Sequence, residues 1–86
     1  MTTTLAPPAL VAWSRFAEHR GKLIADLDVR LANGRLVTLV AHEDRGLVVI
    51  RGLRAIADRE TQNAAAGAVR AAIREHLNHD QAQEAA

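Results

Sequence analysis

Four groups of residues in this 86-residue chain carry side chains able to do chemistry. The first is His76-x-x-His79, with Glu75 and Asp80 beside it. On a helix, positions three or four apart share a face, so two imidazoles and a carboxylate can converge on a cation. The pair falls at the end of an apolar-periodic segment, where protonated histidines also complement the helix dipole. It lacks the glutamate of a His-Glu-x-x-His hydrolase motif. No metal is therefore assigned. The second group is Asp26 and Asp28, which protrude from one face of a strand. Paired carboxylates can share a proton or hold a divalent cation, but with Lys22 and Arg30 as neighbours they read as a solvated strand face.

The third group is His42 beside Glu43 and Asp44, an acid–base pair in principle. It has no nucleophile to serve, because Ser14 sits in no elbow motif. The chain has no cysteine, which removes thiolate chemistry and cysteine-based metal sites. Its five glycines are scattered singly and form no phosphate-binding loop. The expectation is a protein that is not an enzyme and needs no cofactor.

The fourth group is arginine: Arg51, Arg54, Arg59, Arg70 and Arg74. If they converge they make an electropositive strip that can hold phosphates. Glu43, Asp44, Asp58 and Glu60 are interleaved with them, and the net charge is only +1 at pH 7. A general nucleic-acid coat is not supported by that balance.

These groups must be positioned by one small domain, since 86 residues bury one modest core and leave no room for a deep cavity. Hydrophobic residues are 49% and charged residues 24% of the chain, the balance of a globular domain rather than a disordered one. No run approaches the ~20 apolar residues that span a bilayer. The start of the chain lacks the basic residues of a secretory signal. A cytoplasmic setting and no membrane partner are expected.

The clearest local signal is strict alternation from Leu23 to Leu31, followed by Asn33-Gly34 and a second apolar run. This is a β-hairpin pattern. Strand one is expected over Lys22–Leu31 and strand two over Arg35–His42. A three-residue loop with a bulge at Gly34 puts Val37, Leu39 and Ala41 opposite Val29, Leu27 and Ala25. A two-residue turn would slip the register by one and exchange the faces. The bulged loop is preferred because the alternative buries Thr38 and His42.

A second turn at Glu43–Gly46 leads to Leu47–Arg51, apolar on both parities as in a strand covered on both faces. Leu53, Ala55 and Ile56 continue the extended stretch past Gly52. Asp58 is placed to cap a helix from Arg59 to about Asn78, with Ala66, Val69, Ile73 and Leu77 as its apolar stripe. Gly67 within it suggests close packing on the sheet. Before the hairpin, Pro8 to Arg20 reads as a helix ended by Gly21, with Trp13 and Phe16 plugging it onto the sheet.

The expected fold is α+β, with the order αβββα. It has a three-stranded antiparallel meander in the order 1-2-3, packed with an N-terminal and a C-terminal helix. Residues 1–6 and 80–86 are expected to be flexible, the latter loose or a helical extension.

In this register Ile24, Leu36, Val40, Val48 and Ile50 form an aliphatic patch away from the main core, unless one helix covers each face. Contiguous apolar patches mark partner surfaces. The function expected is a non-enzymatic protein–protein interaction module. It would act as a homodimer, or as a small inhibitor or adaptor on a larger bacterial or phage assembly, a class that includes anti-CRISPR inhibitors. The alternative is a small nucleic-acid-binding regulator that uses the five arginines.

Overall fold

A computed structural model describes residues 9–85, with side chains described through His79. Four strands are followed by one helix: β1 Ala9–His19, β2 Lys22–Leu31, β3 Leu36–Asp44, β4 Leu47–Arg51 and α1 Arg59–Ala85. A single 3-10 turn, Leu53–Ala55, joins β4 to the helix. The strands form one antiparallel sheet in the order β1-β2-β3-β4. The α+β class and the C-terminal helix match the expectation. The N-terminal helix and the three-stranded sheet do not.

The segment read as the first helix is β1. Its turn to β2 is Arg20-Gly21, with φ of 54° and 78°, and the β3–β4 turn is Arg45-Gly46, with φ of 55° and 85°. Two successive positive φ values define the type I′ turn, whose twist matches that of antiparallel strands. Gly21 therefore closes a hairpin rather than a helix. β1 also carries a bulge: Val11 faces Val29 and Trp13 faces Asp28, so Ala12 is the extra residue. The bulge breaks the alternation, and that made the segment look helical.

The hairpin between β2 and β3 has the preferred register. Val29 faces Val37, Leu27 faces Leu39 and Ala25 faces Ala41. The Leu31 amide donates to the Arg35 carbonyl at 2.8 Å, and the Gly34 amide to the Leu31 carbonyl at 2.9 Å. These bonds close the three-residue loop.

All the inward side chains of β2 are buried; Ala25, Leu27 and Val29 on that strand, and Leu39 and Ala41 on β3, are fully enclosed. Ile56 and one stripe of α1 (Ala65, Ala66, Val69 and Ile73) cover them. Alanines along this stripe let the helix lie close to the sheet. Leu77 is half-buried at its end. Gly67 is exposed, and a Cβ there would meet nothing within 4 Å. It does not serve close packing.

α1 begins where expected. Asp58 accepts from the Thr61 amide at 2.8 Å and from the Thr61 hydroxyl at 2.7 Å. The Thr61 hydroxyl bond, followed by the Thr61 amide, holds the Asp58 carboxyl below its ordinary pKa. The helix runs past Asn78 to Ala85, so the helical form of the tail is the one adopted. Residues 1–6, expected to be flexible, lie outside the described residues.

One helix on one four-stranded sheet makes two layers, and the shortest dimension of the molecule is 20 Å. That is about one sheet plus one helix, each roughly 10 Å thick. The second face of the sheet has no second layer among the described residues. No helix among them is long and apolar enough to cross a membrane.

Candidate protein-binding face

The registers place every side chain of the uncovered face on a grid. Across the end near the β2–β3 loop lie Leu10, Arg30 and Leu36. Next come Trp13, Asp28 and Thr38, then Arg15, Asp26, Val40 and Arg51. Ala17, Ile24, His42 and Val49 follow. His19, Lys22, Asp44 and Leu47 close the other end.

Two apolar clusters emerge, one at each end. Leu10, Trp13 and Leu36 are each about half exposed, at 53%, 51% and 49%. Leu47 at 68% and Val49 at 49% cap the other cluster, beside half-buried Ile24 and Val40. Between them runs a polar band with its own internal partners. Arg15 pairs with Asp26 at 3.9 Å, and the Thr38 hydroxyl donates to Asp28 at 2.8 Å. Lys22 reaches Asp44 at 4.0 Å near the edge. These bonds tie Asp26 and Asp28 to side chains of the neighbouring strands.

Ile24, Leu36 and Val40 thus lie where the sequence placed them. Val48 and Ile50 do not. Val48 faces Glu43 and Ile50 faces Ala41, which puts both on the helix side, packed against the core. The open side of β4 is Leu47 and Val49 instead, so this strand is not covered on both faces. Its parity could have been fixed by counting back across the two-residue Arg45-Gly46 turn. Leu10 and Trp13 were missed because β1 was read as a helix. Trp13 does not plug a helix onto the sheet; only Phe16 of the two aromatics packs against the core.

The arginines are divided. Arg51 lies on the open face, Arg54 on the 3-10 turn and Arg59 at the start of α1. Arg70 and Arg74 line a groove between α1 and β4. They do not form one strip. His76 stacks on Phe16, with centroids 4.1 Å apart and planes within 6°, and both line a recess with His79. No group of three metal-capable side chains occurs among the described residues. His42 lies on the open face, between Ile24 and Val49.

Comparison with protein families, with curated proteins and with solved structures found no match to this chain.

Proposed function

We propose that this chain is a non-enzymatic protein-binding module whose open sheet face associates with a second copy of itself. The observation that carries this reading is the uncovered face with its two apolar clusters. Half-exposed leucines and a tryptophan gathered on one face are costly in water, and their burial is the main gain on association.

A second copy fits the charge pattern. The face offers Arg15, Lys22, Arg30 and Arg51 against Asp26, Asp28 and Asp44, so both signs are available to a self-complementary interface. Its outline, set by four strands ~4.8 Å apart and five to eleven residues long, is roughly 500–600 Å². Side-chain relief brings the accessible area toward the ~800 Å² per partner of a standard interface. A larger assembly, with this chain as inhibitor or adaptor, is the other occupant of the same face.

Light scattering across a concentration series tests the reading. The expected mass is about twice the 9.3 kDa chain. Trp13, the single tryptophan, should emit further to the blue as the dimer forms. Leu36→Asp and Val49→Asp should each return a folded monomer. A wild-type chain that stays monomeric up to ~1 mM removes self-association, because affinity weaker than that is not an interface.

A further inference from the structure

A different observation concerns the edge of the sheet. β4 is the last strand of the sheet and pairs with β3, so among the described residues the backbone groups on its outer side have no strand to pair with. α1 lies chiefly over β1 and β2 and covers the helix side of β4 only in part, leaving Val48 and Ile50 half-buried. There a groove of about 480 Å³ separates the strand from the helix. Its floor is apolar (Val48, Ile73 and Leu77) and its rim carries the exposed Arg70 and Arg74. Neither arginine has an ion pair among the described residues. Glu43, the one acidic group in the lining, accepts the Gly46 amide at 2.9 Å.

We propose that β4 and this groove form an acceptor edge for an extended protein segment that bears carboxylates. The segment adds as a fifth strand. Its backbone pairs with the outer edge of β4, and alternate side chains turn toward α1. One apolar side chain meets Val48 and Leu77, and acidic side chains meet Arg70 and Arg74. The spacings agree. Four residues of helix rise about 6 Å, and alternate residues of a strand are about 6.7 Å apart. Carboxylates at i and i+2 are therefore spaced along their strand much as positions 70 and 74 are along the helix.

Charge selects the occupant. A second copy paired edge to edge would bring two Arg70–Arg74 pairs together, which like-charge repulsion opposes. A nucleic acid would use the arginines but leave the apolar floor and the strand edge unused.

The test uses the full chain and a fluorescein-labelled heptapeptide, followed by anisotropy. The peptide has threonine at odd positions and valine, glutamate and glutamate at positions two, four and six. Saturable binding is expected, at least about tenfold tighter than for the same peptide with lysine in place of glutamate. The double variant Arg70→Glu, Arg74→Glu should reverse that preference. Both sites are exposed, and circular dichroism checks that the variant stays folded. Two N-methylated peptides then test strand addition. Methylating the odd amides or the even amides should abolish binding in one case and spare it in the other.

Several outcomes overturn the proposal. They are no binding of the glutamate peptide, equal binding of both methylated forms, and no reversal in the double variant. Tighter binding of a labelled oligonucleotide than of the peptide, lost in the same variant, also overturns it. Loss of the open-face dimer leaves this readout untouched, so the two readings fail separately.

Discussion

β2 serves both faces of the sheet, and its two parities live in different surroundings. Leu23, Ala25, Leu27, Val29 and Leu31 are between 0 and 8% exposed beneath α1. Ile24, Asp26 and Asp28 are half-buried on the other side, and Arg30 is exposed. The covered parity is uniformly aliphatic because every neighbour is a side chain. The open parity sets one aliphatic side chain, Ile24, among Lys22, Asp26, Asp28 and Arg30, with Asp26, Asp28 and Lys22 each partnered on the neighbouring strands. Burial under the helix constrains one parity to aliphatic residues, while the uncovered parity accepts charge.

The sharpest way to break the contrast is to truncate each side of the sheet in turn. Leu27→Ala or Leu39→Ala, both fully enclosed, should cost about 2–5 kcal/mol in urea unfolding. Leu36→Asp or Val49→Asp should change monomer stability by no more than about 0.5 kcal/mol, while weakening association by tenfold or more. If the open-face variants unfold the chain as the leucine truncations do, the two faces are not different in kind.

Gly52→Ala tests the corner where β4 leaves the sheet. Gly52 has φ +104°, and a Cβ there would lie 3.0 Å from the Leu39 side chain and 3.1 Å from the Thr38 carbonyl. Backbone strain and the squeeze on a core leucine together should cost roughly 1–3 kcal/mol, again read by urea unfolding. An unchanged midpoint would show that the corner relaxes freely.

The smallest effect belongs to the helix cap. The Asp58 carboxyl has a folded pKa below its unfolded value of 3.8 because Thr61 donates to its charged form. The stabilisation is therefore complete above the unfolded pKa and is lost as pH falls through the folded one. Thermal midpoints of Asp58→Ala and wild type should differ at neutral pH and converge as pH drops well below 4. Asp58→Asn should keep most of the cap at every pH, since its amide oxygen still accepts. A constant gap between wild type and the alanine variant down to low pH would contradict this.

Much of the fold was legible where one pattern acted alone. The β2–β3 hairpin has unbroken alternation and a Gly-containing loop, and its register follows from which choice buries Leu39 rather than Thr38. Asp58 announced its helix by type and position. β1 was obscured because two signals compete there. Alanines and a wide apolar face suggest a helix, and the extra residue at Ala12 spoils the alternation that would have argued otherwise. The same Arg-Gly dipeptide closes both outer hairpins, so the end of the turn expected at Glu43–Gly46 carries the signal that Arg20-Gly21 repeats. The candidate face was half legible for the same reason. Ile24, Leu36 and Val40 follow from the well-read hairpin. Leu10 and Trp13 depend on β1, which reads as a helix, and Leu47 and Val49 on β4, which reads as covered on both faces.

The insertion at Ala12 has an evolutionary corollary. Val11 and Trp13 occupy adjacent rungs of the ladder against β2, so the residue between them holds no rung of its own. Loss of that one codon would leave every cross-strand partnership as it is. Chains that carry the residue and chains that lack it should share a topology and differ in the coil of one rim, and so in the angle at which the indole is offered.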